Sequence, residues 1–297
     1  MKRSVAFGFG GLCLLAGSRW LVATYFPSVL PSLREECLHQ GAVALLTGVA
    51  AWWTGGPRVS ARRLMQLAFY GLLLVAVPAL LIVFAQGRVS DLSGLALLTL
   101  VPAVTALVAA QREQQQEGED FRRLLLPALV ATGGAFLLIP MDLPASLAGK
   151  LWLVGLALGA AVAAWAGVKV HTLLQGVPVL AAASVISASC AVVLGAASML
   201  HPAESLGVMD LWRELLFCLF MDLPLALLTF WLLREMQPVQ FSTRFLLVPA
   251  LSITEGFVMV RPQLTAFMVA GMVLMVGGAG YLLVSREQQT TVGLKLR

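Results

Sequence analysis

Read for polar and apolar positions alone, the chain is a succession of long charge-free runs. Cys37–Pro57, Leu64–Gly87, Leu92–Gln111, Leu124–Met141, Leu151–Val168 and Leu264–Ser285 each hold roughly 18 to 24 residues without Asp, Glu, Lys or Arg. Val170–Ala203 is longer still. Three further runs carry internal charges: Ser4–Phe26 with Arg19, Leu211–Leu233 with Arg213, Glu214 and Asp222, and Val239–Met259 with Arg244 and Glu255. A helix needs about 20 apolar residues to cross a bilayer, so the pattern predicts ten transmembrane helices. A barrel would need strands of about ten residues with alternating polarity, and the runs do not alternate.

Composition supports a protein whose solvent is lipid. Of the 297 residues 59% are hydrophobic and 12% charged, against about 45–50% and 25% in a soluble domain. The opening "MKRSVAFGFGGLCLLAGS" imitates a signal peptide but offers no small-x-small site before Arg19 and Trp20. Leu12 before Cys13 is wrong for lipoprotein processing, so an uncleaved first helix is expected. The net charge of +5 reports orientation, not nucleic acid. With the N-terminus inside, Lys2, Arg3, Arg58, Arg62, Arg63, Arg112, Arg122, Arg123, Lys169, Arg234, Arg244, Arg286, Lys295 and Arg297 fall on the cytoplasmic side. Arg34, Arg88, Lys150, Arg213 and Arg261 fall opposite, the positive-inside distribution. Both termini are thus expected in the cytoplasm.

Phrases recur in order. "HQGAVAL" from His39 is echoed by "LQGVPVL" from Leu174, and "PALL" from Pro78 by "PLALL" from Pro224. "VPAV" from Val101 returns as "VPAL" from Val248, and "ATGGAFLL" from Ala131 as "MVGGAGYLL" from Met275. Gly11–Trp20 more weakly resembles Gly155–Trp165. The chain therefore divides into two five-helix halves, 1–117 and 118–297, with "QREQQQEGEDFRR" (111–123) as the solvated linker. Five is odd, so the halves enter the membrane from opposite sides. The fold class expected is all-α with ten transmembrane helices as two inverted five-helix repeats, an architecture built for alternating access.

The pattern resembles the drug/metabolite transporter superfamily, in particular its EamA-type ten-helix carriers, over nearly the whole chain. "GSRW" with the following Pro27 is similar to that family's opening helix. "VPAVTALVA" (101–109) and "VPALSITEG" (248–256), followed by "RPQLT" and a Gly-rich last helix, resemble its two repeat signatures. The resemblance implies a secondary carrier of small organic solutes in a bacterial inner membrane and leaves proton coupling open.

Candidate site residues follow from the cost of burying charge in hydrocarbon. Asp222 lies about 16 Å into its helix, near the midplane, beside Pro224. It reads as a proton-coupling or substrate-amine site, or as half of a structural ion pair. Arg19, about 12 Å deep, is its natural partner across one cavity, paired with it or sharing an anionic or zwitterionic substrate. Glu255, with Arg261 close in sequence, reads as an interfacial pair or gate contact, and Arg213 and Glu214 as interfacial. Trp20, Tyr70 and Trp165 lie within helices, where they either line a pocket or pack. Pro78, Pro102, Pro224 and Pro249 are expected to kink helices around the cavity.

Cys13, Cys37, Cys190 and Cys218 have no disulfide or metal spacing, and His39, His171 and His201 do not cluster. No metal or cofactor is therefore expected. No phosphate-binding loop and no hydrolase motif occurs, so an enzyme is not expected. The partners are a small-molecule substrate, the bilayer and, for coupling, protons. The chain works as a monomer or a homodimer, with no nucleic acid. The competing readings are a non-transporting membrane scaffold or regulator and a membrane-embedded lipid-processing enzyme.

Overall fold

The computed structural model describes residues 2–25, 30, 32–55, 59–113, 120–139, 141–200, 208–260 and 265–284. Pro27, Arg261 and the middle of the linker, where the division between halves falls, lie outside the described residues. The order is α1 (Arg3–Tyr25), α2 (Ser32–Trp53), α3 (Ala61–Ala85), α4 (Asp91–Leu98), α5 (Val101–Glu113), α6 (Asp120–Leu138) and α7 (Leu147–Leu174). Then come α8 (Val179–Ser198), α9 (Val208–Phe217), a π-helical turn (Cys218–Asp222), α10 (Leu223–Glu235), α11 (Pro238–Ser242), α12 (Arg244–Val260) and α13 (Ala266–Val284). No strand occurs among the described residues.

Among the described residues, seven helical segments are long and apolar enough to cross a membrane: Arg3–Tyr25, Ala61–Ala85, Leu92–Gln111, Leu147–Leu174, Val179–Ser198, Met209–Glu235 and Ala266–Val284. The protein is an all-α, multi-pass membrane protein. Large apolar side chains cover its outside, with Phe7 80% and Trp53 81% exposed. Lipid tails tolerate such a surface and water does not. The remaining helices fall short for readable reasons. α2 carries Arg34, Glu35 and Glu36 near its start, α6 has a short apolar stretch, Leu124–Leu138, and α12 is a 17-residue helix separated from α11 at Thr243.

Two boundaries differ from the sequence reading. α2 starts at Ser32 rather than Cys37, and Glu36, just past its first turn, finds a partner in Arg19 on α1. The turn expected near Lys169 comes later, where α7 ends at Leu174 and Gly176 takes φ +78°. That left-handed conformation suits glycine at a helix end, and Pro178 then starts α8. Lys169 stays helical, with its ammonium 5.8 Å from the ring of Trp165. Ser90 and Ser146 cap α4 and α7 by accepting from the Ser93 and Gly149 N–H groups.

In the packing, α2 runs along α8 and α6 along α13, while α3 meets α7 and α8. α1 lies against α10 and α12, and α5 against α6 and α7. The main apolar core joins α1, α3, α7, α8 and α10 through residues such as Leu12, Leu67, Leu174, Ile186 and Leu232. A second core lies among α4, α6, α12 and α13, around Ala135, Leu246 and Met275. Between α6 and α13 the backbones touch. A Cβ on Gly134 would sit 2.7 Å from both the Gly271 carbonyl oxygen and the Met275 nitrogen. One on Gly278 would sit 2.7 Å from the Pro127 carbonyl oxygen and 3.1 Å from the Ala131 nitrogen. Only glycine permits this approach.

The prolines act unequally. Pro78 and Pro249 lie inside α3 and α12. Pro102 stands in the first turn of α5, just beyond the α4–α5 break, where no N–H is required of it. Pro224 follows the π-helical turn, in which the Leu223 N–H reaches back to the Cys218 carbonyl. Without its own N–H, Pro224 cannot close a normal turn, and the wider turn absorbs the defect. Of the four, only Pro249 lines the central cavity. This corrects the expectation for Pro78, Pro102 and Pro224, which shape helices without facing the cavity.

Candidate functional site

A cavity of about 460 Å³ lies among α1, α2, α3, α4, α10 and α12, within the range of small-molecule sites. A larger hollow, about 670 Å³, lies at the α3 end beside Ser32 and Arg88. It lacks converging charges, whereas Arg19, Glu36, His39, Asp222 and Arg244 all line the smaller cavity. Ile82, Phe230, Phe245 and Val248 supply much of its apolar wall.

Arg19 and Asp222, 203 positions apart in sequence by their numbers, meet here. An Arg19 Nη2 lies 3.3 Å from Asp222 Oδ1 and 3.3 Å from Glu36 Oε1. Asp222 Oδ2 is 2.8 Å from His39 Nδ1. Both atoms are buried and make no directed hydrogen bond, so the contact is one of charge and proximity. His39 Nε2 then reaches Glu214 Oε2 at 3.2 Å. The result is a continuous row, Glu36–Arg19–Asp222–His39–Glu214. Phe217 walls it on one side: its ring stacks on His39 at 5.7 Å and lies 5.8 Å from the Arg19 guanidinium. The π-helical turn sets Asp222 into this row, and Cys218 Sγ, in the same turn, lies 3.5 Å from the His39 carbonyl oxygen.

Glu214 is only 4% exposed and His39 1%, so Glu214 is an interior member of the row and not interfacial. The stretch "REECLHQ" held the signal for the missed residues. Glu35 and Glu36 precede His39 by four and three positions, which places all three on one helical face. Glu35, His39 and Glu214 also each offer a ligand atom, all within 4.8 Å of one another. Such an N/O set could hold a divalent cation, an arrangement the dispersed sequence positions did not suggest.

Arg244 was expected at the cytoplasmic surface. It instead begins α12 within the cavity wall, its guanidinium centre 4.2 Å from the Phe241 ring centroid and 4.8 Å from that of Phe245. Nη1 donates to Thr229 Oγ1 at 3.4 Å.

Three aromatic candidates lie elsewhere. Tyr70 and Trp165 pack edge to face, centroids 5.3 Å apart, where α3 meets α7. Trp20 donates through Nε1 to Glu255 Oε2 at 3.2 Å, and Ser18 donates to Oε1 at 2.8 Å. None of the three lines the cavity, because each has a closer partner on a neighbouring helix. Glu255 thus ties α12 to α1. Glu255→Ala should remove two bonds to one carboxylate and lower stability by about 1–2 kcal/mol, read as a fall in Tm in detergent with the shape of the cavity unchanged.

No family model matches this sequence, and no curated protein matches it. Solved structures do, 28 chains of them. One, described simply as "Crystal structure of protein", superposes with a TM-score of 0.75 over 96% of this chain and 99% of its own, at 15% identity. At that identity the likeness establishes a shared fold alone.

Proposed function

We propose that the chain is a secondary active carrier of the drug/metabolite type, with ten membrane helices in two inverted halves and both termini in the cytoplasm. It would move a small organic solute across a bacterial inner membrane by alternating access. The observation that carries this reading is the symmetry of helix pairing. Take α1, α2, α3, α4–α5 and α6 as one half, and α7, α8, α9–α10, α11–α12 and α13 as the other. Counterparts α2 and α8 then pack on each other, as do α6 and α13. α3 meets α7 as α10 meets α1, and α5 meets α7 as α12 meets α1. α5 meets α6 as α12 meets α13. The agreement extends to single residues. The register equating Gly134 with Gly278 also equates Gly271 with Pro127 and Met275 with Ala131, and those are the backbone atoms each glycine touches. Two halves packed by one rule can exchange conformations and expose a central site to each side in turn.

The cavity at the junction of the halves supplies that site, and the Asp222–His39–Glu214 row supplies groups able to pass a proton. The test is counterflow in proteoliposomes loaded with a metabolite mixture, read by mass spectrometry. Saturable uptake above protein-free vesicles is expected, as is loss of solute accumulation on adding a protonophore. His39→Gln should uncouple accumulation from the proton gradient while leaving exchange. No solute carried above background would defeat the reading.

A further inference from the structure

We propose that Arg244 is the anchor for an anionic group of the solute, a carboxylate or a phosphate monoester on a small organic body. The inference rests on the carrier reading for its use but on separate residues for its chemistry. Every other charge lining the cavity has a partner: Arg19 is shared by Glu36 and Asp222, and His39 stands between Asp222 and Glu214. Arg244 has none of this kind. Among the described residues no carboxylate lies within ion-pair distance of it. Its neighbours are two phenyl rings, a threonine hydroxyl and the Cys13 thiol, none of them an anion partner of the kind Arg19 has.

Aromatic faces stabilise a guanidinium, but less than an anion does in the same low-dielectric setting. The fork of N–H donors fits a carboxylate or phosphate in bidentate fashion. Phe241 and Phe245 fix its plane, and Phe245, Phe230 and Val248 offer the solute's apolar part a wall. Position adds to the argument. A second, small hollow of about 20 Å³ between α5, α7 and α11 is also lined by Arg244 and Phe245. The arginine therefore stands between the central cavity and this second hollow, where a bound anion could be passed on as the halves rock.

The experiment uses the full-length protein in detergent and a panel of carboxylates and monophosphate esters with aliphatic or aromatic bodies. Each is matched with its neutral amide or alcohol and with its amine. Thermal stability is read for wild type, Arg244→Lys and Arg244→Gln. Anionic members should raise Tm in wild type. Affinity should fall about tenfold or more in Arg244→Gln and less in Arg244→Lys, which keeps the charge but not the fork. The larger shift, for carboxylates or for phosphates, tells the two sources apart. If Arg244→Gln does not fold, the loss in Arg244→Lys carries the comparison. Stabilisation by neutral or amine members as strong as by anions overturns the proposal. So does an anion effect equal in all three proteins, or no anion effect in wild type. The same panel in proteoliposomes separates the two readings. Binding without saturable uptake sinks the carrier and leaves the anion site, whereas Arg244-independent uptake of amines or neutral solutes does the reverse.

Discussion

Asp222→Asn should all but abolish solute uptake in proteoliposomes while leaving a folded protein. Asp222 faces the Arg19 guanidinium at 3.3 Å and the His39 ring at 2.8 Å. Asparagine keeps the shape and one acceptor oxygen but removes the charge. Removing the charge leaves both contacts without their anion, and uptake should fall at least tenfold, about 1.4 kcal/mol in the step it governs. Asp222→Ala should also lose stability, by about 3–5 kcal/mol, because removing one partner of a buried pair leaves the others uncompensated. Arg19→Gln should compensate in part. The double variant Arg19→Gln/Asp222→Ala should be less destabilised than the two single effects summed, a coupling of about 0.5–3 kcal/mol. Strict additivity in thermal melts would show that the two side chains do not act together.

The second large effect is steric. Gly134→Ala and Gly278→Ala should each lower stability by about 1–3 kcal/mol or more, the usual cost of overpacking. Each added Cβ meets backbone atoms of the opposing helix at 2.7 Å, and backbone cannot step aside as a side chain can. α6 and α13 would have to part along their shared length. The neighbouring glycines are the controls. A Cβ on Gly133 or Gly277 meets nothing within 4 Å, so alanine there should be neutral or stabilise by up to about 1 kcal/mol through better helix propensity. Equal Tm values for Gly133→Ala and Gly134→Ala would refute the close approach.

These two sites mark how far the sequence could be read. "ATGGAFLL" and "MVGGAGYLL" were visible as repeats, but nothing local says which glycine of each pair faces a partner. Asp222 and Arg19 stood out because a charge inside an apolar run is costly in lipid. Their meeting was an inference from depth, and the structure bears it out. Glu36 was not singled out, His39 was passed over because the histidines do not cluster in sequence, and Glu214 was read as interfacial. Glu36 precedes the charge-free run used to mark the second helix, His39 lies within that run, and Glu214 sits close to the start of its own. Tyr70 and Trp165 were offered as pocket residues because they lie mid-helix, but depth does not fix which face of a helix a ring occupies.

Local chemistry along the chain determined the all-α, membrane-spanning character, since apolar length and missing charges decide whether a backbone can lie in hydrocarbon. It also set the turn at Gly176 and Pro178 and the wide turn before Pro224, where backbone freedom or a missing N–H acts within a few residues. The tertiary structure alone decided which charges neutralise each other. It joined Glu36, Arg19, Asp222, His39 and Glu214 and left Arg244 between two phenyl rings, with no acid beside it among the described residues. Burial makes electrostatic pairing matter, and burial depends on helices that are distant in sequence.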